Sequence, residues 1–494
     1  MSFFMVQFLL TFYSRKVFLN YLGEDVLGLN TTAVNILQFL NLAELGISTA
    51  VAFSLYTPLH DDDQTTINEI VSLQGLLYKR IAFIIITGAV IVMGFFPIIF
   101  KKITLPLWYA YASFGVLLFS ALLGYFFNYR QIILTASQKD FKIQQSVGVC
   151  NVVKAIAQII AVSTLSHPYL WWLVLEVVFS VVSTVALQIM VRRAFPYLKK
   201  SRLSYKSLKN KYDILITKTK QVFLHNIGGF ALSQSSPLII YAYANLALVA
   251  ISGNYLLIST GVMRLFNAIF NSMGAGIGDL IAENNQERIM KVFYELFSLR
   301  FLLVSAVIFT LVTMGQPFIE IWLGETYLLP LSTLLIISAT LFIRLNRYTV
   351  NQFLAGRGQY QDVYSPLAEA ALNIGLSILL GYFYGLNGIL SGVLISLIVI
   401  VELWKPYFLF RYGLKESLRK YFVNYLTHII PAVALGWPFF YLTSKLWLSV
   451  SHSWLNLILF SISCFTVYTA TLGLSLWVIS NSFRGLIARL KVFV

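Results

Sequence analysis

Ten charged or amide side chains interrupt stretches of this sequence that are otherwise apolar, and they are the residues whose types could do chemistry. Burying such a group without a partner is costly, so each one either finds a partner or faces water and a polar cargo. They predict a site for binding a polar or charged substrate. The ten residues are Arg15, Lys16, Asn41, Glu44, Lys154, Arg264, Asn267, Asn271, Arg344 and Arg347.

Two sets of polar residues share one spacing, i, i+3 and i+7, which places each set on one face of a helix. The guanidinium of Arg264 in one set could hold a phosphate through two parallel hydrogen bonds. Glu44 in the other set is too short to reach a membrane surface, so we expect it to pair with an arginine or to carry a coupling proton. The alternative is a structural hydrogen bond to a neighbouring helix. The sets are Arg264, Asn267 and Asn271, and Asn41, Glu44 and Ser48.

The composition indicates that these residues lie inside a membrane. Apolar residues make up 58% of the 494 residues and charged residues 11%, whereas soluble domains average roughly 45–50% and 25%. A soluble chain of this length could not cover its surface with so few charges, but lipid tails accept leucine and phenylalanine directly. The sequence therefore predicts an integral membrane protein.

Fourteen apolar stretches are long enough to cross a bilayer, for which a helix needs roughly 20 residues. They predict an all-α, polytopic membrane protein with two six-helix lobes in a parallel repeat and two further C-terminal helices. The predicted spans are Phe3–Leu19, Thr31–Leu55, Leu76–Phe100, Trp108–Leu134, Val147–Leu165, Leu170–Val191, Val222–Ala244, Leu248–Met273, Phe297–Met314, Leu331–Phe353, Pro366–Tyr384, Ile389–Leu409, Tyr425–Leu446 and Leu455–Ile479.

The basic residues predict the orientation, because cytoplasmic connections carry an excess of Lys and Arg. With a cytoplasmic N-terminus, the inside connections hold most of the 36 Lys and Arg residues. We therefore expect both termini to be cytoplasmic. The outside ends then hold only Arg15, Lys16, Lys101, Lys102 and Lys445.

The longest polar segment divides the first twelve spans into two sets of six. The predicted organisation is an N-lobe at residues 1–191, a basic cytoplasmic linker at 192–221, a C-lobe at 222–410 and a two-helix extension at 411–494. Similar short segments precede the second span of each lobe. This predicts a parallel repeat in which two bundles rock about a shared cavity.

The connections argue against an enzyme. None is long enough to fold as a catalytic domain, and no glycine-rich phosphate loop is present. A membrane glycosyltransferase or polymerase remains an alternative, because Glu24 and Asp25 lie in the first outer loop where such an enzyme could place catalytic acids. No cofactor, metal or nucleic acid is predicted, and both cysteines lie in apolar stretches.

Four segments resemble Wzx-type polysaccharide flippases of the multidrug/oligosaccharidyl-lipid/polysaccharide exporter superfamily. They are YLGEDVLGLN at residues 21–30, LAELGI at 42–47, YTPL at 56–59 and QFLAGRGQ at 352–359. These segments are family markers and not catalytic motifs. By their position in the order of spans, Arg15 and Arg264 match regions where this family has cavity cations.

The resemblance implies a flippase that moves an undecaprenyl-diphosphate-linked oligosaccharide from the cytoplasmic to the outer leaflet of a bacterial inner membrane, for O-antigen and other lipopolysaccharide synthesis. It also implies alternating access coupled to H⁺, Na⁺ or the membrane potential. Membrane lipids and polysaccharide assembly proteins are the further implied partners. A drug/cation antiporter of the same fold is the main alternative, and it should prefer acidic cavity residues.

Overall fold

The computed structural model describes the whole chain except residues 1, 45, 102–103, 214, 218, 220–222, 224–234, 271–272, 284, 358–361, 363, 450–451 and 494. Helices account for nearly all of the described residues, and no strand occurs among them. The all-α prediction is confirmed. The chain forms two compact units, unit 1 at Met1–Ala250 and unit 2 at Ile251–Val494.

Unit 1 contains seven labelled helices and the start of an eighth. They are α1 (Ser2–Leu40), α2 (Ile47–His60), α3 (Gln64–Gly94), α4 (Trp108–Phe126), α5 (Val149–Thr164), α6 (Pro168–Ala194), α7 (Tyr205–Lys211) and α8 (Leu246–Phe270), the last of which continues into unit 2. Shorter helical turns are Asn41–Glu44, Phe96–Ile99, Asn128–Gln131, Ile132–Ala136, Asp140–Ile143 and Gln144–Gly148. Residues 235–243 are also helical.

Local sequence sets several of these boundaries. Asp63 caps α3, because its side chain accepts a hydrogen bond from the Thr66 amide at 3.0 Å. Pro168 begins α6, a position where its missing N–H costs nothing. Within α1, Gly23 has a φ of 82°, which kinks the helix and separates the first predicted span from the second.

Unit 2 contains the remaining helices. They are α9 (Met273–Ala282), α10 (Gln286–Leu323), α11 (Leu331–Gly356), α12 (Tyr364–Leu397), α13 (Leu418–Leu448), α14 (Trp454–Ile479) and α15 (Asn481–Phe493). Helical turns at Ile398–Trp404, Lys405–Phe408 and Leu409–Leu414 continue from α12, and Glu325–Tyr327 forms a short turn after α10. The long helix α10 packs against α11, α13, α14 and α15, and its buried Phe293, Phe297 and Phe301 lie at the centre of this core.

The helix α12 folds back on itself. Gly385, with a φ of 56°, makes the turn, and the Ser377 hydroxyl then donates a hydrogen bond to the Ile389 carbonyl at 2.9 Å. A Cβ atom on Gly388 would lie 1.9 Å from the Leu380 carbonyl oxygen, so only glycine fits this close approach. The hairpin agrees with two separate predicted spans in this segment.

Nine helical segments among the described residues are long and apolar enough to cross a membrane, by length and composition. One of them, Tyr364–Leu414, is 51 residues long and contains the α12 hairpin. The chain therefore has a polytopic helical membrane fold.

The basic linker packs along the first turns of α3. Asn68 accepts a hydrogen bond from the Lys199 amide at 2.8 Å, and the Ser72 hydroxyl accepts one from the Ser201 amide at 2.8 Å. Lys211 forms an ion pair with Glu69 at 2.6 Å, and that hydrogen bond raises the pKa of Lys211. These contacts attach residues 199–211 to unit 1.

Candidate functional site

The helix is interrupted where the sequence predicts a continuous second span. After α1 ends at Leu40, Asn41–Glu44 forms one 3₁₀ turn and α2 begins at Ile47. Gly46 has a φ of 96°, a conformation that side-chain-bearing residues rarely adopt. The chain therefore places Glu44 at a helix break and not on a regular helix face.

Glu44 is held by neutral hydrogen-bond donors. Its Oε1 accepts hydrogen bonds from the Tyr78 hydroxyl at 2.5 Å and the Ser48 hydroxyl at 3.3 Å, and its Oε2 accepts one from the Tyr125 hydroxyl at 2.8 Å. Within the described part of the chain, no Lys or Arg forms an ion pair with this carboxylate. The expected arginine partner is thus not seen there, and two tyrosines and a serine take its place.

A cavity of about 400 Å³ surrounds the carboxylate, within the size range of small-ligand sites. Most of its lining residues are polar, and they come from the helix break, from α3 and from the end of α4 with the turns after it. This geometry brings Asn41 and Glu44 together, as the sequence predicts. The lining residues are Asn41, Glu44, Ser48, Gln74, Tyr78, Ala121, Gly124, Tyr125, Asn128, Tyr129, Gln131, Ile132 and Thr135.

The tyrosines of this cavity were not among the predicted site residues, because aromatic residues of an apolar chain usually face lipid or the membrane interface. One signal was available. The polar run Asn128–Gln131 lies inside the predicted span Trp108–Leu134, and in the structure α4 ends at Phe126 before that run. A polar interruption of an apolar stretch thus marked one wall of the cavity.

Arg15 and Lys16 lie on α1 before its kink, and both are half-buried. Arg15 donates a hydrogen bond from Nη2 to the carbonyl of Ala250 at 3.2 Å. Neither residue is among those that line the Glu44 cavity. The structure therefore places these two cations apart from the acidic cavity.

Lys154 lies in an ion pair between α5 and α6. Its Nζ is 2.8 Å from Oε1 of Glu176, and Gln158 donates a hydrogen bond to Oε2 of Glu176 at 3.0 Å. The two charged side chains are 23% and 13% exposed. This contact neutralises Lys154 and ties the two helices together.

Replacing Lys154 with Met should lower the free energy of unfolding by roughly 2–3 kcal/mol, somewhat less than for a fully buried pair, because it leaves Glu176 without its partner. The double variant Lys154→Met/Glu176→Met should recover most of the loss, since it removes both charges. Denaturant unfolding in detergent measures both effects. If the double variant is stable but inactive, the pair has a role in transport beyond stability.

The polar residues of α8 belong to unit 2. Arg264 is exposed and makes no hydrogen bond or ion pair to any residue that the structure describes, while Asn267 is half-buried one turn further along. Asn271 follows Phe270, the last residue of α8, and lies outside the described residues. Arg264 and Asn267 share a helix face, as predicted.

Arginines from two helices meet around one turn of α11. Arg347 lies 3.6 Å from the buried carboxylate of Glu369 on α12, and the half-buried Arg344 is one turn before it. Arg300 of α10, which the sequence analysis did not single out, is 2% exposed and donates from Nε to the Leu345 carbonyl at 2.6 Å. Its presence inside the predicted span Phe297–Met314 was the signal that could have identified it.

The Arg300 guanidinium lies between two aromatic rings, 4.4 Å from the Phe270 centroid and 4.3 Å from that of Tyr348. Cation–π contacts of this kind stabilise a charge that lacks a carboxylate partner. Its Nη2 has no hydrogen-bond partner among the described residues. Unit 2 thus has an interior with more cations than anions around this turn, whereas unit 1 has a cavity with a carboxylate.

No family model matches the chain, and no curated protein matches it. Solved structures do match over most of its length. The MurJ lipid II flippase in an inward closed conformation has 14% sequence identity and a TM-score of 0.65, covering 95% of this chain and 98% of the flippase.

Multidrug resistance transporters of the MATE family, from the MOP superfamily, match as well. An inward-facing conformation has 14% identity and a TM-score of 0.61, covering 84% of this chain and 96% of the transporter. An outward-facing conformation has 15% identity and a TM-score of 0.54, covering 85% and 94%. At these identities the likeness shows the fold alone: the chain has the polytopic helical fold of MATE transporters and MurJ.

Proposed function

We propose that the protein is a MOP-superfamily flippase and not an enzyme, and that it moves an undecaprenyl-diphosphate-linked oligosaccharide from the cytoplasmic to the outer leaflet of a bacterial inner membrane. The observation that carries this proposal is the likeness to the MurJ lipid II flippase over 95% of the chain. The MATE transporters cover 84–85% of it. The longer match favours the flippase.

The arginines support an anionic cargo. We propose that Arg15, Arg264 and Arg344 hold the diphosphate and that the amides of Asn41, Asn267 and Asn271 bind sugar hydroxyls. A guanidinium can replace the hydration of a phosphate through two parallel hydrogen bonds. Lys16 is a further proposed cation, while Lys154 and Arg347 already pair with carboxylates and would mainly hold helices in position.

We further propose that Glu44 couples transport to a proton. Its carboxylate accepts hydrogen bonds from three hydroxyl groups in a polar cavity, and these hydroxyls can remain as partners when the carboxylate takes up a proton. Alternating access would then expose Glu44 to each side of the membrane in turn.

A drug/cation antiporter is the second candidate. The observation that favours it is the cavity in unit 1, where Glu44 is the only ionisable carboxylate and no Lys or Arg occurs among the described lining residues. An acidic cavity suits a cationic substrate better than a diphosphate. The flippase and the antiporter would share this fold and differ in the cargo that they carry.

Deletion of the gene from its host should cause lipid-linked oligosaccharide to accumulate facing the cytoplasm, with a loss of surface polysaccharide. The measurement is accessibility of the sugar to an impermeant enzyme in inside-out and right-side-out vesicles. Normal lipid-linked sugar on the outer face together with a new sensitivity to cationic drugs would favour the antiporter. Absence of the oligosaccharide itself would favour a glycosyltransferase.

A further inference from the structure

A second cavity in unit 1, of about 320 Å³, opens beside the basic linker. It lies between α3 and α6, with the turn Asn128–Gln131 between these helices. Its described lining residues include four cations and no carboxylate. The cations are Lys79 from α3, Arg130 from the turn, Arg192 from α6 and Lys200 from the linker.

These four cations are free to bind an anion. None of them forms an ion pair within the described part of the chain. Arg130 has only weak contacts to Tyr129, a hydrogen bond of 3.4 Å to its hydroxyl and a cation–π distance of 5.8 Å to its ring centroid. Two neighbouring basic residues are already engaged, since Arg80 lies 3.5 Å from the Tyr205 ring centroid and Lys211 pairs with Glu69. The four cations of the cavity therefore carry uncompensated positive charge among its described lining residues.

The helix faces that line the cavity continue as exposed apolar surface. On α3, Phe83 and Val90 follow Lys79 at i+4 and i+11, on the same face, and are 64% and 63% exposed. On α6, Val185 precedes Arg192 by two turns on the same face and is 51% exposed. Both faces thus combine a cationic end with a lipid-compatible stretch, which suits an amphiphile better than a free ion.

One wall of the cavity is tightly packed. The Tyr129 ring lies against Gly75 of α3, where an added Cβ atom would approach ring carbons to 2.7 Å. Tyr129 is the one described residue that lines both this cavity and the Glu44 cavity. The basic cavity is consequently a formed part of unit 1 and distinct from the acidic one.

We propose that this cavity binds the phosphate headgroup of an anionic membrane lipid, with the acyl chains along the apolar faces of α3 and α6. Phosphate supplies the negative charge that the four cations lack, and arginine binds it through paired hydrogen bonds. This site is separate from cargo transport and would exist whether the cargo is a lipid-linked sugar or a drug.

The test is the binding of dioctanoyl phosphatidic acid to the purified full chain in neutral detergent. Lys79→Gln/Arg192→Gln should weaken binding about 30-fold, because it removes two of the four charges. The matched control Lys199→Gln/Lys206→Gln, which removes two exposed linker charges outside the cavity, should change it by less than about twofold. Equal losses in both double variants would overturn the proposal.

Two further ligands test whether the cavity recognises an anionic lipid or phosphate alone. Dioctanoyl phosphatidylcholine and inorganic phosphate should each bind at least about tenfold more weakly than phosphatidic acid, because the first is zwitterionic and the second has no acyl chains. Inorganic phosphate binding as tightly as the lipid would overturn the lipid assignment. If the double variant does not fold, Arg192→Gln alone should still weaken lipid binding about fivefold, and unchanged binding would contradict the proposal.

Discussion

Replacing Glu44 with glutamine is expected to abolish the response of transport to a proton gradient. Glutamine keeps the shape of the side chain but cannot exchange a proton, so the coupling step is lost. One pH unit is worth about 1.4 kcal/mol per proton, which permits about a tenfold change in the steady-state cargo distribution of the wild type. Proteoliposomes with an imposed pH gradient measure this response.

Variants of the two tyrosines that donate hydrogen bonds to Glu44 test the same coupling role without changing the carboxylate. Tyr78→Phe and Tyr125→Phe each remove one hydrogen bond to Glu44. Each should retain coupling but weaken it, because Glu44 loses one of the three hydroxyl donors that position its carboxylate. A purely structural role for the tyrosines would lower protein yield without changing the coupling of the protein that folds.

The matched control is Glu24→Gln, which removes a carboxylate that follows the α1 kink and does not line the Glu44 cavity. Its gradient response should equal that of the wild type. A full response in Glu44→Gln would remove Glu44 from coupling. Loss of activity in Glu24→Gln instead would favour the glycosyltransferase, whose candidate acids lie in that loop.

Arg264→Ala should reduce transfer of the lipid-linked sugar on the order of 100-fold, since two charge-assisted hydrogen bonds to phosphate are lost. The transfer rate of Arg264→Lys should fall between those of the wild type and Arg264→Ala, because an ammonium group binds phosphate without the paired geometry. Arg264 is exposed and has no described partner, so its removal should leave the unfolding temperature nearly unchanged. Transfer of a fluorescent lipid-linked sugar across proteoliposomes measures the effect.

Arg288→Ala is the control for Arg264, because Arg288 is an exposed arginine of the same unit that pairs with Glu283 at 2.5 Å. Its transfer rate should stay within about twofold of the wild type, as expected for a surface ion pair. Unchanged transfer in Arg264→Ala would exclude this residue from cargo binding. Loss of drug export in place of sugar transfer would identify the antiporter.

Long apolar helices were predictable because the thickness of the bilayer sets how many consecutive apolar residues a spanning helix needs. The predicted span Leu455–Ile479 and the helix Trp454–Ile479 differ by one residue, and Leu170–Val191 falls within Pro168–Ala194. An uninterrupted apolar run has few alternatives in a membrane, since every backbone group must be satisfied within the segment.

The helix break and the partners of Glu44 were not predictable in the same way. Composition does not distinguish a continuous span from one broken at Gly46, because the spacing of Asn41 and Glu44 also fits one face of a continuous helix. The hydrogen bonds to Glu44 join residues 34 and 81 positions apart in sequence, so they depend on tertiary packing. Sequence spacing did correctly group Asn41 with Glu44, because that proximity is local.

The break at Asn41–Gly46 affects how the backbone of this membrane segment is hydrogen-bonded. A helix break can leave backbone carbonyls without helical donors, and hydrocarbon offers none. α2 is only 14 residues long, below the roughly 20 needed to cross a bilayer alone. Water in the Glu44 cavity can supply those donors, so filling the cavity with apolar side chains should destabilise the break itself.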